Sequence, residues 1–202
     1  MNSAMIYVVD DDEGVRESMR ALLESAGYRV RDFPSALAFL AANPDEPGCV
    51  VTDVRMPDMD GLELQQEIVR RGMAYPVVVM TGHGDVPLAV RAMRAGAADF
   101  LEKPFADDEI LGSIGRALEI AERAKDKLAE AKAARDLLEL LTPREREVFD
   151  RLVSGRSNKV AAYELGISPR TIEIHRARIM DKIPARNLSD LVRVALAADG
   201  SA

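Results

Sequence analysis

The sequence predicts two domains, a doubly wound α/β domain with a five-stranded parallel sheet and a smaller all-α unit behind it. In roughly the first half of the 202-residue chain, short apolar runs alternate strictly with amphipathic helical segments. This pattern is typical of a parallel sheet with helices on both faces. Beyond it, only helical segments follow one another. Aromatic residues make up 4% of the chain and Trp is absent, which favours helices over an all-β sandwich.

The charge distribution also divides the chain. Residues 140–202 contain 11 of the 27 Lys and Arg and 8 of the 34 Asp and Glu, a net charge of +3, which leaves −10 for residues 1–139. Such unequal charges point to two domains with different partners. The one cysteine, Cys49, excludes an internal disulfide and a zinc site built from cysteines. Because no apolar run approaches the ~18 residues of a membrane span, we expect a cytoplasmic protein without a membrane partner.

Five apolar runs predict the strands of the sheet, at residues 5–9, 28–33, 49–52, 76–80 and 98–101. The intervening segments predict helices, because their apolar residues recur at helical spacing and Gly or Asn-Pro follows each of them. These helices are expected at residues 15–25, 35–42, 61–71 and 87–94.

A longer helix is predicted from Asp107 onwards. Its apolar residues recur at heptad spacing, namely Ile110, Ile114, Ala117, Ala121, Ala124, Leu128, Ala131 and, further along, Leu138. One interpretation is a solvated helical spacer with a slightly apolar face. The other is the seam of a coiled-coil dimer, which would be weak because it is rich in Ala and includes Arg135. The sequence leaves both interpretations open.

The last 60 or so residues predict a compact helical unit near the lower size limit for a self-sufficient core. Thr142 precedes Pro143 and stands three residues before Glu145, which is the pattern of a capping box at a helix start. Helices are predicted at residues 144–153, 157–165, 169–183 and 188–198. We therefore expect a first domain at 1–122, a helical linker at 123–141 that continues its last helix, and a second domain at 142–202.

Chemically notable side chains follow four of the five predicted strands. Asp10 and Asp11 follow the first, Asp53 the third, Thr81 the fourth and Lys103 the fifth. In open parallel sheets, ligands bind outside the carboxyl ends of the strands, which is where these residues are expected. Three carboxylates in one place repel each other unless a cation intervenes, and an oxygen-only site favours Mg²⁺. Each residue alone is explained by a turn, a helix cap or the solvated surface, but together they predict a site.

These residues lie in motifs that resemble the receiver domain of bacterial two-component response regulators. The motifs are VVDDD at 8–12, TDVRMPDMDG at 52–61, MTGHGD at 80–85 and DFLEKPF at 99–105, and the resemblance covers residues 4–122. It implies a flavodoxin-like fold in which Asp53 accepts a phosphoryl group from a sensor histidine kinase. It also implies a Mg²⁺ (or Mn²⁺) ion held by Asp10, Asp11, Asp53 and the backbone carbonyl of Arg55.

The same resemblance assigns the residues of a switch. Thr81 and Lys103 would bind the phosphoryl oxygens, and Phe100 would turn into the space that Thr81 leaves. Val90 and Arg94 would contact the second copy of a homodimer, and the Lys103–Pro104 peptide bond is expected to be cis. We further hypothesise that the bulky Arg55 and His83, two residues beyond Asp53 and Thr81, set how fast water reaches the acyl phosphate.

The C-terminal motifs resemble the helix-turn-helix output domain of the LuxR/FixJ (NarL/FixJ) type. They are LTPREREV at 141–148, GRSNKVAAYELGISPRTIEIHRARIMDKI at 155–183 and NLSDLV at 187–192. Taken together, the whole chain most resembles the FixJ-like regulators. The resemblance implies that the helix at 169–183 enters the major groove of promoter DNA.

That helix is expected to bury Ile172, Ile179 and Ile183. Its opposite face would then present Arg170, Glu173, Ile174, Ala177, Arg178 and Asp181. Glu173 is suited to cytosine N4, and Ile174 and Ala177 to a thymine methyl group. Charged or donor side chains near helix starts and edges are suited to phosphates, namely Lys159, Thr171, His175, Arg176 and Lys182.

The predicted function is a phosphorylation-activated transcriptional regulator that dimerises through its receiver and contacts DNA, with RNA polymerase as a further partner. Its only catalysis would be Mg²⁺-dependent self-phosphorylation and slow autodephosphorylation. In the inactive state, the receiver either covers the DNA-binding unit or is tethered loosely to it. A phosphatase of the haloacid-dehalogenase type needs its nucleophile at the first strand with Asp-x-Asp spacing, whereas this chain has the run Asp10-Asp11-Asp12 there and Asp53 alone on a later strand. That enzyme is therefore disfavoured, and an RNA-binding output module is disfavoured by SPRTIEIHRARIMDK.

Overall fold

The computed structural model describes residues 4–82 and 86–200 of the chain. The chain forms two compact units, residues 1–122 and 123–202, and each is described by itself. None of the helices in the described ranges is both long and apolar enough to cross a lipid bilayer.

The first unit is a five-stranded, all-parallel sheet in the order β2-β1-β3-β4-β5. Its strands are β1 (Met5–Val9), β2 (Arg29–Phe33), β3 (Gly48–Asp53), β4 (Val77–Thr81) and β5 (Asp99–Glu102). Its helices are α1 (Glu13–Ser25), α2 (Ala36–Ala42), α3 (Gly61–Arg70), α4 (Val86–Arg94) and α5 (Asp107–Glu139), the last of which continues into the second unit. The predicted fold is confirmed, with boundaries that differ by one or two residues.

One boundary difference matters for function. The predicted third and fourth strands stop at Thr52 and Met80, whereas β3 ends on Asp53 and β4 ends on Thr81. Asp53 pairs in register with Met80, and Thr81 with Glu102. Both residues are thus fixed by the sheet ladder itself rather than by a loop.

The sheet buries both of its faces. Along β1, the side chains of Tyr7 and Val9 belong to one apolar core together with residues of α2, α3 and α4. Ile6 and Val8 belong to a second core with residues of α1 and α5. This alternation explains why the central strands are continuous apolar runs in the sequence, because neither face meets water.

The heptad spacing along α5 has an explanation within the chain. Ile110, Ile114 and Ala117 are buried in the core of the first unit, and Leu138 is buried in the core of the second. Leu128, between them, is 68% exposed. The apolar positions at both ends of the helix therefore serve the two cores, which favours the helical spacer over a continuous dimer seam.

The second unit contains α6 (Pro143–Val153), α7 (Asn158–Leu165), α8 (Pro169–Lys182) and α9 (Leu188–Ala198). Each helix begins after a side chain that caps its backbone N–H groups, namely Thr142, Ser157, Ser168 and Asn187. The predicted capping box between Thr142 and Glu145 is confirmed. Fully buried Phe149, Ile172 and Ile179 form the centre of this core.

An ion pair joins the start of α6 to the end of α8. Lys182 Nζ donates to Glu145 Oε2 at 2.6 Å and to the carbonyl oxygen of Leu140 at 3.1 Å. The hydrogen bond from Lys182, followed by that from the backbone of Thr142, lowers the pKa of the Glu145 carboxyl to about 2. Glu145 is therefore charged throughout the ordinary pH range of the folded protein.

The ion pair of Lys182 and Glu145 is expected to make the unfolding free energy depend on pH. Since the folded pKa of Glu145 lies below its ordinary value of 4.5, the stabilisation is complete above about pH 4.5 and disappears as the pH falls towards 2. We expect Lys182→Met to cost about 1–2 kcal/mol of unfolding free energy near neutral pH and much less near pH 3. Urea titrations followed by circular dichroism measure the difference from wild type.

The matched control is Arg193→Met, which breaks the exposed pair of Arg193 with Asp190 on α9. It should change the unfolding free energy by less than about 0.5 kcal/mol. A pH-independent loss in Lys182→Met, or an equal loss in the control, would contradict the role assigned to the pair.

Candidate functional site

Three of the predicted site residues meet at the carboxyl edge of the sheet. Lys103 Nζ donates to Asp10 Oδ2 at 2.9 Å and to Asp53 Oδ1 at 2.7 Å. Asp10 directly follows β1, Asp53 ends β3 and Lys103 directly follows β5. The strands are parallel and stand in the order β1-β3-β4-β5, so their carboxyl ends share one edge of the sheet. Asp53 and Asp10, which precede Lys103 by 50 and 93 positions in the chain, therefore share its ammonium group.

The two carboxylates are buried. Asp10 is 2% exposed and Asp53 is 8% exposed. Burial raises the pKa of Asp10 above its ordinary value, although the hydrogen bond from Lys103 opposes the shift. Burial alone would lower the pKa of Lys103, but its hydrogen bonds to Asp53 and Asp10 outweigh burial and raise that pKa. With both carboxyls ionised, the cluster has two negative charges against one positive charge, so it attracts a further cation.

The second oxygen of Asp53 is also held. The backbone N–H of Arg55 donates to Asp53 Oδ2 at 2.5 Å. Beyond it, an open cleft of about 710 Å³ lies between the segment after β3 and the start of α4. Asp11 is exposed and lines this cleft. The acceptor candidate thus has both of its oxygens oriented by the protein.

The predicted switch residues lie on the two strands beside this cluster. Thr81 is fully buried, and its carbonyl oxygen accepts from the N–H of Lys103 at 2.7 Å. Phe100, on β5, is half-buried against the core that also contains residues of α4. The Lys103–Pro104 peptide bond is cis, as predicted. Val90 and Arg94 are exposed on α4, and His83 lies outside the described residues.

Gly61 allows α3 to start directly behind Asp53. Its N–H donates to the carbonyl oxygen of Val54 at 2.9 Å. A Cβ atom at this position would lie 2.1 Å from the carbonyl oxygen of Asp53. The sequence identified Gly61 only as part of a turn, because the close approach arises from folding the chain back on β3.

We therefore expect Gly61→Ala to destabilise the chain by about 1–3 kcal/mol, since the backbone of Asp53 has to move to admit the methyl group. The control is Gly115→Ala on α5, where a Cβ atom meets nothing within 4 Å and alanine is the better helix former. Urea unfolding of both full-length variants is the measurement. Equal unfolding free energies of Gly61→Ala and wild type would show that the backbone of Asp53 admits the methyl group without cost, which would contradict the prediction.

Helix α8 presents the face that the sequence predicts for DNA. Ser168 caps it, and Ile172 and Ile179 are buried beneath it. Ile174 is 47% exposed. The other residues of the expected face are all exposed, namely Arg170, Glu173, Ala177, Arg178 and Asp181.

The predicted phosphate-binding residues are more varied. Lys159 is exposed, whereas Thr171, His175 and Arg176 are half-buried. The hydroxyl of Thr171 is hydrogen-bonded to that of Ser168, and the buried Nδ1 of His175 has no hydrogen-bond partner in the described part of the chain. The ammonium group of Lys182 is held by Glu145 and the carbonyl of Leu140, and its contact with a phosphate stays a prediction.

Two family models match the chain. The model of the response regulator receiver domain matches residues 6–115, and that of the luxR family of bacterial regulatory proteins matches residues 139–195. The transcriptional regulatory protein FixJ of Bradyrhizobium diazoefficiens is 50% identical over 194 residues, which cover 96% of this chain and 95% of FixJ. The chain belongs to the FixJ-like response regulators.

Solved structures of these regulators agree with both units. The response regulator StyR aligns with a TM-score of 0.80 and 40% identity, covering 96% of this chain and 98% of StyR. Full-length FixJ from B. japonicum aligns with a TM-score of 0.62 and 49% identity, covering 98% of each chain. A receiver domain with a LuxR-type DNA-binding domain makes this chain a phosphorylation-dependent transcriptional regulator rather than a classical enzyme.

Receiver domains generally bind Mg²⁺, and the site fits such an ion in its donor chemistry. Asp10 and Asp53 supply carboxylate oxygens, which Mg²⁺ prefers, and the position between them already accepts the ammonium of Lys103. Across residues 4–82 and 86–200, no three His, Cys, Asp or Glu side chains are arranged to hold a metal ion. The exposed Asp11 carboxylate is the member of the predicted set that does not converge with the other two.

Proposed function

We propose that Asp53 is the phosphoacceptor of this regulator and takes its phosphoryl group from a sensor histidine kinase. The observation that supports it best is the double hold on the Asp53 carboxylate, by Lys103 at Oδ1 and by the Arg55 N–H at Oδ2. A carboxylate held on both oxygens is oriented for in-line attack on phosphorus. The new Asp53 O–P bond forms as the N–P bond of the donor imidazole breaks, and the imidazole keeps the electron pair.

The charges around Asp53 suit this transfer. Lys103 is placed to stabilise the negative charge on the phosphoryl oxygens. When bound, a Mg²⁺ (or Mn²⁺) ion would be held by Asp10, Asp11, Asp53 and the carbonyl of Arg55 and would neutralise further charge on that group. Binding in this way requires Asp11 to turn inward from its exposed position.

The phosphorylated side chain then changes its neighbours. Lys103 leaves the carboxylates for a phosphoryl oxygen, and the hydroxyl of Thr81 binds another. Phe100 turns towards the space beside Thr81 and repacks the surface of α4 and β5, where Val90 and Arg94 meet a second copy. Arg55 and His83, two residues beyond Asp53 and Thr81 in the sequence, set the rate of the slow autodephosphorylation.

Dimerisation positions two DNA-binding units on one promoter. Each α8 enters the major groove about one helical turn of DNA from the other. Arg170, Glu173 and Ile174 read base edges together with Ala177 and Arg178, which share their exposed face. The phosphates are contacted by Lys159, Thr171, His175, Arg176 and Lys182. RNA polymerase is the further partner at the promoter.

The test is a gel shift with the full chain and a duplex selected from a random-sequence library. We expect a small acyl phosphate with Mg²⁺ to tighten binding to the duplex, and an RNA of the same sequence to bind more weakly at equal salt concentration. Duplex affinity that is unchanged by the phosphodonor, or tighter binding to the RNA, would refute the proposal.

A further inference from the structure

An arginine of α1, Arg16, is hydrogen-bonded to the backbone of residues 10–12, the acidic segment that follows β1. Arg16 Nη1 donates to the carbonyl oxygen of Asp10 at 2.8 Å and to that of Asp11 at 3.1 Å. The Arg16 side chain is 12% exposed. One guanidinium group therefore satisfies two successive carbonyl groups directly after β1.

A second set of contacts fixes Arg16 itself. Its Nε donates to Asp32 Oδ2 at 3.3 Å, and Asp32 also pairs with Arg20. From the other side, the N–H of Asp10 donates to the carbonyl oxygen of Phe33 at 3.2 Å. The acidic segment is thus tied both to α1 and to the end of β2. Arginine suits this position because its planar group offers several donors in a fixed geometry.

We infer that Arg16 is a positioning residue for the divalent cation of the phosphorylation site. Its bonds to the carbonyls of Asp10 and Asp11 fix the backbone from which both carboxylates project. Without these bonds the backbone at Asp10 and Asp11 is free to move, and ordering it for the cation costs free energy at binding. This inference rests on the proposed function, in which Asp10 and Asp11 hold the ion.

Charge alone predicts the opposite effect. A guanidinium group near a cation site repels the cation, so its removal by a neutral residue should tighten binding if Arg16 acted only through its charge. Removal of a positioning group weakens binding instead. The sign of the change in cation affinity therefore separates the two explanations.

Arg20 provides the matched control. It has the same charge, lies one helical turn further along α1 and pairs with the same Asp32, but its side chain is 46% exposed. Its ion pair is with Asp32. Arg20→Gln removes one positive charge and one contact to Asp32, as Arg16→Gln does, while the two carbonyl groups keep their donor.

The experiment is a calorimetric titration of the full chain with Mg²⁺ alone, without phosphodonor, supported by Mn²⁺ titration in an electron paramagnetic resonance assay. We expect Arg16→Gln to weaken Mg²⁺ binding roughly tenfold and Arg20→Gln to leave it within about twofold of wild type. Unchanged or tighter binding by Arg16→Gln overturns the inference. If wild type binds no Mg²⁺, the proposed metal site fails and the inference fails with it.

Arg16→Lys keeps the experiment decisive if Arg16→Gln does not fold. A lysine ammonium group keeps the charge but not the fixed fork of donors, so we expect an affinity between those of wild type and Arg16→Gln, with an unfolding free energy close to wild type. Wild-type affinity in Arg16→Lys would show that cation binding does not need the fixed pair of carbonyl bonds, and would overturn the inference. Circular dichroism of each variant establishes that it is folded.

Discussion

Asp53→Asn should reduce phosphate incorporation from a small phosphodonor to background and abolish the donor-dependent gain in DNA affinity. The carboxamide has nearly the shape of the carboxylate and still accepts from the Arg55 N–H, but it is a poor nucleophile and lacks the charge that faces Lys103. Labelled phosphate on the full chain measures incorporation, and a gel shift measures affinity.

Asp60→Asn is the matched control for that variant. Asp60 lines the same cleft but serves as the N-cap of α3, and asparagine caps a helix about as well as aspartate. It should retain phosphate incorporation and the gain in affinity. Incorporation into Asp53→Asn at the wild-type level would place the acceptor elsewhere.

The second large effect is expected on α8. Arg170 is exposed in the first turn of this helix, and it is the N-terminal residues of a recognition helix that contact base edges. We expect Arg170→Ala to cost about 1–3 kcal/mol on the selected duplex, or roughly five- to 150-fold in affinity, with a much smaller loss on unrelated duplexes. Competition gel shifts with both kinds of duplex measure the difference.

Two further variants separate base contacts from charge. Arg193→Ala removes an exposed arginine from α9, where it pairs with Asp190, and should alter neither affinity by more than about twofold. Lys159→Ala should weaken binding to all duplexes alike. It should also reduce the slope of log affinity against log salt concentration by about 1, the value for one lost phosphate contact. An equal loss for Arg170→Ala on selected and unrelated duplexes would contradict base reading by Arg170.

Much of this arrangement is predictable because the parallel sheet imposes it. Strands buried on both faces are apolar throughout, so the polar residues that follow them stand out. Asp10, Asp53 and Lys103 were identified for this reason, and the structure brings them within hydrogen-bonding distance. The ends of parallel strands share an edge whatever the loops between them do.

Other contacts depend on distances that no local pattern encodes. Arg16 follows the acidic segment by one turn of α1, yet its bonds to the two carbonyls exist only because the helix packs back over β1 and β2. Lys182 is a charged residue near a helix end, which suits a phosphate contact. Its hydrogen bond to Glu145, 37 positions earlier in the chain, follows from no local pattern. Along α5, core packing and a dimer seam demand the same spacing of apolar residues, so spacing could not distinguish them.

The side chain at the end of β3 is proposed to carry the phosphoryl group. Mass spectrometry of the full chain after treatment with an acyl phosphate and Mg²⁺ locates that group, with borohydride reduction to trap the acyl phosphate before peptide mapping. We expect a single modified residue at Asp53. No modified peptide, or modification confined to another aspartate such as Asp10 or Asp11, would contradict the account.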